Sequence, residues 1–141
     1  MPRPDPRRVA AVSLATMVAG IAPVHLFGAL APEIRDEFGF GDAEQGFAVA
    51  AFFAVSAALT SWGGALSDRL GPSPALRFGT LAGLLGTVGV LLAPSYAVIV
   101  AALCVAAVGN AVNQPSNNTF IIGGYRSDNE YLRIAERCLR V

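Results

Sequence analysis

Few side chains in this 141-residue chain are equipped for chemistry. His25 is the only histidine, and the two cysteines, Cys104 and Cys138, stand far apart. Neither spacing resembles a metal site, no disulfide framework is implied, and no cofactor is expected. Asn110, Asn113, Gln114, Asn117 and Asn118 cluster around Pro115. No nucleophile–base arrangement or carboxylate pair accompanies them, so an enzyme is not expected. What remains is recognition. An ionisable or amide side chain in apolar surroundings is costly unless it meets a polar partner, a water-filled cavity or a passing solute. His25, Asn110 and Asn113 are therefore the candidates for a substrate path. The competing readings are a neutral interfacial histidine and, for Gln114, Asn117 and Asn118, the wet end of a helix.

The elements that carry these residues are strongly apolar. Hydrophobic residues make up 54% of the chain and charged residues 14%, against about 25% in ordinary soluble domains, and the mean hydropathy is +0.54. The net charge is zero, without the basic footprint of a nucleic-acid binder. Residues 9–32, 45–67 and 78–125 carry no formal charge. A helix needs about 20 mostly apolar residues to cross a hydrocarbon core of about 30 Å. The third stretch is too long for one crossing, and Pro94-Ser95 divides it, because proline disfavours helix at the residue before it. Backbone in lipid must satisfy its own hydrogen bonds. The expected fold is therefore all-α and integral to the membrane, with four transmembrane helices at about 9–30, 46–66, 75–93 and 96–119, connections at 31–45, 67–74 and 94–95, and tails at 1–8 and 120–141. The basic start followed by Ala29-Leu30-Ala31 resembles a signal peptide, but the apolar segment exceeds the usual 7–15 residues and three further spans follow.

All ten basic residues are arginine. With four spans, Arg3, Arg7, Arg8, Arg69, Arg77, Arg126, Arg133, Arg137 and Arg140 fall on one side and Arg35 alone on the other. By the positive-inside rule both termini are expected to be cytoplasmic, in a multi-pass protein of the cell membrane. The acidic 31–45 connection is expected outside.

The loop between the second and third spans reads Gly63-Gly64-Ala65-Leu66-Ser67-Asp68-Arg69-Leu70-Gly71-Pro72. Each position has a physical reading. Gly64 lets a neighbouring helix approach. Asp68, just before a helix start, is placed to accept backbone N–H bonds. Gly71 permits a sharp turn, and Pro72 and Pro74 suit the first turn of a helix. Here the chain resembles the major facilitator superfamily, whose signature in this loop is a Gly, three residues, Asp-Arg, one residue and Gly. Gly64, Asp68, Arg69 and Gly71 match it in order and spacing. Pro72 and Ser73 stand where that family usually has basic residues, with Arg77 a turn later. The segments 31–46 and Gly109–Pro115 also resemble the family. The resemblance covers about residues 9–120 and implies a secondary transporter of small solutes, with the loop as a conformational latch between two halves. The arginine that many members carry early in the fourth span is missing.

Twelve spans in two halves make up that family's fold, so four spans would be its amino-terminal portion, a truncated or partial chain lacking a C-terminal half. The tail from 120 reads as polar and unlike the family, with Tyr131, Leu132, Ala135, Cys138 and Leu139 on one face of a short amphipathic helix. The alternative function is a membrane-embedded interaction or assembly subunit without transport activity. A self-assembling four-helix exporter fits less well, since such proteins rely on a carboxylate within a span. Gly79, Gly83, Gly86 and Gly89 in the third span predict close helix packing, with Gly79 and Gly83 forming one GxxxG.

Overall fold

The computed structural model describes residues 6–126. The amphipathic face suggested for 131–139 lies outside them. Five helices occur in the order α1 (Pro6–Ala29), α2 (Ala31–Phe38), α3 (Asp42–Leu70), α4 (Pro72–Leu91) and α5 (Tyr96–Arg126), and no strand is present among the described residues. Four of them, all but α2, are long and apolar enough to cross a membrane. They alternate in direction, so α1 and α4 run one way and α3 and α5 the other. The boundary expected at residue 119 falls inside α5, whose apolar span reaches Ile122.

The 31–45 connection is more ordered than a loop. Pro32 in the first turn and Glu33 beside the positive helix end start α2, and Gly39, at φ +68°, ends it while donating its N–H to the Arg35 carbonyl. At the start of α3 the Gly41 N–H donates to Glu44 Oε2 at 3.0 Å. Arg35 pairs with Asp42 and donates to Gln45, which ties α2 to α3. Next to this, the Tyr96 hydroxyl donates to the Glu44 carbonyl at 2.6 Å, and Phe40 packs on both Tyr96 and Phe27. The starts of α3 and α5 are thereby clamped at one end of the bundle.

At the opposite end α3 and α4 meet at the single residue Gly71 (φ +87°, ψ +159°). Its N–H donates to Ser67 O, closing α3, and its carbonyl accepts from Ala75 N, opening α4. Only glycine adopts this backbone region without strain. Gly71→Ala is expected to cost about 1–3 kcal/mol, read as a lower midpoint in a detergent-denaturation titration. An unchanged midpoint would show that the turn relaxes freely.

The bundle is organised around α5, which packs against α1, α3 and α4. More than half of its apolar window is buried, a larger share than in any other span. Near the clamped end the core is apolar and includes Val24, Phe27, Ala48, Phe52, Ile99 and Leu103. The α4–α5 contact is made by backbone. A methyl group built on Gly86 would lie 2.7 Å from Ala102 O, and one on Gly109 would lie 2.7 Å from Gly83 N and overlap Gly79 O. The small residues of α4 thus do what the spacing predicts, with Gly109, Ala106 and Ala102 completing the contact from α5.

Two prolines sit inside spans, Pro23 in α1 and Pro115 in α5. Each removes the N–H that would bond the carbonyl four residues earlier, Ala19 O and Ala111 O respectively. Both oxygens face a glycine of a neighbouring helix: a methyl on Gly83 would lie 3.4 Å from Ala19 O, and one on Gly63 would overlap Ala111 O. Contacts of the Cα–H···O kind compensate part of the lost bond, at about 0.5–1 kcal/mol each. Large apolar side chains, among them Leu14, Val18, Phe47, Leu84, Leu85 and Leu92, cover the outer surface, as a lipid-facing exterior requires.

Candidate functional site

The α3–α4 turn carries the four signature residues. Asp68 and Arg69 lie in the last turn of α3 and are exposed. Neither makes a hydrogen bond or ion pair to the described residues. From the sequence, Asp68 is expected to cap the following helix. Instead Gly71 is the N-cap of α4, with no side-chain cap bond. The turn is so short that Asp68 still belongs to α3. A carboxylate at the negative end of a helix dipole is disfavoured, whereas Arg69 there is favoured. Asp68 is therefore held exposed at a local cost. The close-approach role expected of Gly64 is carried mainly by its neighbour Gly63, which is buried against α5. Gly64 meets Pro115 Cβ at ordinary contact distance, 3.8 Å.

The amide cluster on α5 divides in two. Asn110, Asn113, Ser116 and Asn117 are buried, whereas Gln114 and Asn118 are exposed. Spacings of three and four put the buried set on one helix face, opposite Ser13 of α1 and Ser56 and Gly63 of α3. Asn110 Nδ2 donates to Ser56 Oγ at 2.7 Å, and Asn117 Nδ2 donates to Ser13 O at 3.0 Å. Gly20 of α1 makes room for the seam: a methyl there would lie 3.1 Å from Asn110 Oδ1 and 3.5 Å from Asn113 Nδ2. Asn113 is 2% exposed and neither amide atom has a partner among the described residues; Ser13 Oγ, Ser67 Oγ, Ser116 Oγ and Asn117 Oδ1 are likewise buried and unsatisfied there. The buried polar side chains thus lie at mid-bundle and toward the turn, beside apolar Val9, Leu76 and Val112, whereas the half toward the clamp is apolar.

The structure brings Asn110 and Asn113 together but not His25 with them. His25 is exposed, and its Nδ1 lies 3.1 Å from Ile21 O on its own helix. Since a carbonyl only accepts, Nδ1 carries the proton in this contact. Asn117 is more buried than its position near a helix end suggested. Ser13, Ser56, Ser67 and Ser116 were missed as seam members. The only sequence signal for any of them was the three-and-four spacing that joins Ser116 and Asn117 to Asn110 and Asn113. Among the described residues no group of His, Cys, Asp and Glu is placed to hold a metal ion.

Four apolar spans with lipid-facing exteriors, polar groups turned inward and a one-residue Gly turn define a polytopic membrane protein. The family model described as Major Facilitator Superfamily matches residues 9–129, and the chain belongs to that family. No curated protein and no solved structure matches the chain. The match runs through the end of α5, beyond the limit near residue 120 reached from the signature and flanking segments. Members of this family are transporters, and small-solute transport is the class of activity it defines.

Proposed function

We propose that this chain moves a small solute across the cell membrane as the amino-terminal spans of a major facilitator type transporter. The Gly64–Asp68–Arg69–Gly71 turn acts as its latch, on the cytoplasmic side with both chain ends. The single observation that carries this reading is the turn itself: Gly71 forces α3 and α4 into one corner, and Asp68 and Arg69 project from it without partners among the described residues. A latch needs such groups, because a charge already paired within its own half has little left to offer the other. The arginine asymmetry supports the sidedness. The family's solute site lies between two halves, so a second wall comes from other spans, whether in the same chain or in another subunit. Of the path candidates, exposed His25 is available to a solute. Asn110 and Asn113 sit deeper in the packing and set the polarity behind the path.

The test has two parts. A cysteine placed at Ser73, in a background without the native cysteines, is expected to react with an impermeant maleimide in inverted vesicles and not in right-side-out ones. The reverse pattern would overturn the sidedness. Flux of a panel of labelled small solutes into proteoliposomes is expected to fall about tenfold or more in Asp68→Asn, the worth of one charge-assisted hydrogen bond, with folding unchanged. Flux indistinguishable from empty liposomes for every solute would favour the assembly-subunit reading.

A further inference from the structure

Asn117 joins α5 to α1 with half of its amide. Nδ2 donates to Ser13 O at 3.0 Å. A carbonyl only accepts, so this bond fixes the orientation of the amide and leaves Oδ1 as its free end. Oδ1 is buried without a partner among the described residues, and so is the hydroxyl of the same Ser13. Ser13 is 3% exposed and Asn117 1%. Asn117 stands five residues before Ile122, where the apolar span ends, or about 7.5 Å along the axis. At that depth neither lipid nor bulk solvent supplies a hydrogen bond.

A hydroxyl on a helix has a local remedy, the carbonyl four residues back. Thr16, Thr60, Thr87 and Thr119 all take it, donating to Val12, Ser56, Gly83 and Pro115 O. Ser13 makes no such bond to Val9 O. Its hydroxyl is left to a partner that lies off its own helix.

We propose that Ser13 and Asn117 hold a buried water molecule between α1 and α5. The Ser13 hydroxyl donates to the water oxygen, and the water donates to Asn117 Oδ1. Two partners are the lower limit for an internal water. The chemistry selects the occupant. Oδ1 only accepts and the hydroxyl can donate, so the ligand must do both. The buried polar side chains among the described residues are all serine or asparagine, and a bare ion held without a counter-charge would cost far more than a neutral ligand. The direct Nδ2 bond keeps the two residues in contact, so only a very small molecule fits beside it. Soluble proteins hold about one buried water per 27 residues. The water adds a second polar link between α1 and α5, where spans have little hydrophobic drive to associate. The described helices themselves close the site, so further protein around the bundle leaves it as it is. It depends on neither sidedness nor transport.

The experiment combines direct detection of the water with a stability measurement, on the full chain in neutral detergent. With asparagine labelled by nitrogen-15, the Asn117 side-chain amide is expected to show a cross-peak to water in a rotating-frame magnetic resonance experiment. The sign of that peak separates a resident water from exchange with bulk. Ser13→Val, which puts methyl groups in place of the hydroxyl and the water, is expected to remove it, with circular dichroism confirming the fold. Ser13→Ala keeps the carbonyl that Asn117 uses and removes only the hydroxyl. It is expected to lower the folded-to-unfolded ratio about fivefold in a denaturation titration, the worth of one net hydrogen bond. A dry hydroxyl would give the opposite sign, since its removal relieves an unpaired group and alanine is the better helix former. A more stable Ser13→Ala would therefore overturn the proposal, as would a missing resident-water peak in the unaltered chain or one that persists in Ser13→Val. A denaturation midpoint that rises when sodium or potassium replaces choline would put an alkali cation in the site and also overturn it.

Discussion

Gly109→Val is expected to take the bundle apart while leaving its helices formed. Gly109 lies where α4 and α5 cross. A single methyl there overlaps Gly79 O and comes within 2.7 Å of Gly83 N and 3.2 Å of Ala82 Cβ. The first two are backbone atoms of the facing helix and cannot rotate away, so the helices must separate. Between spans there is little hydrophobic driving force, because lipid tails are as apolar as the side chains, and association depends on close packing. Overpacking usually costs about 1–3 kcal/mol, and a clash with main chain belongs at or above the top of that range. Far-ultraviolet circular dichroism should keep its helical signal while the monodisperse peak in size-exclusion chromatography is lost. Gly28→Ala is the control, since a methyl there meets nothing within 4 Å and helix propensity alone predicts a small gain. A Gly109→Val protein as stable as the wild type would refute the crossing geometry.

Asn113→Leu is expected to stabilise the protein and, on the proposed transport reading, to reduce flux. Both amide atoms of Asn113 are buried without partners, and each such group costs about 1–3 kcal/mol. Leucine keeps the forked shape at Cγ without a polar atom, and its bulkier methyls crowd Gly79 and Gly20, so the relief of the unpaired amide less the overpacking leaves an expected gain of about 1 kcal/mol in a denaturation titration. Asn110→Leu is the contrast. It removes the bond to Ser56 Oγ and leaves that hydroxyl buried and unpaired, at a cost of about 0.6 kcal/mol or more. A loss of stability in Asn113→Leu would mean that bound water satisfies the amide. A polar seam kept at a net cost in stability is what a functional interior looks like. Retained flux in Asn113→Leu would remove Asn113 from the transport reading.

Much of this molecule is determined by the sequence alone. The gaps between charges set the number of spans, because a charge inside hydrocarbon is expensive and a crossing has a minimum length. Pro94-Ser95 set the last hairpin, and the Gly64, Asp68, Arg69, Gly71 spacing identified the family later matched over 9–129. Glycines three and four apart predicted the α4 contact face, since spacing along one helix is local information. The partners of each face are not local. Asn117 and Asn118 are adjacent amides that look alike in the sequence, yet the first is buried and bonded to Ser13 O and the second is exposed. Gly63 and Gly64 are adjacent, and only the first is pressed against α5. Asp68 belongs to α3 because the turn is one residue long, which depends on the backbone angles of Gly71. The carbonyls freed by Pro23 and Pro115 find Gly83 and Gly63 across helices more than forty residues away in the chain. Rotation of each helix about its axis and its crossing with α5 decide these matters, because they determine which side chains face protein and which face lipid.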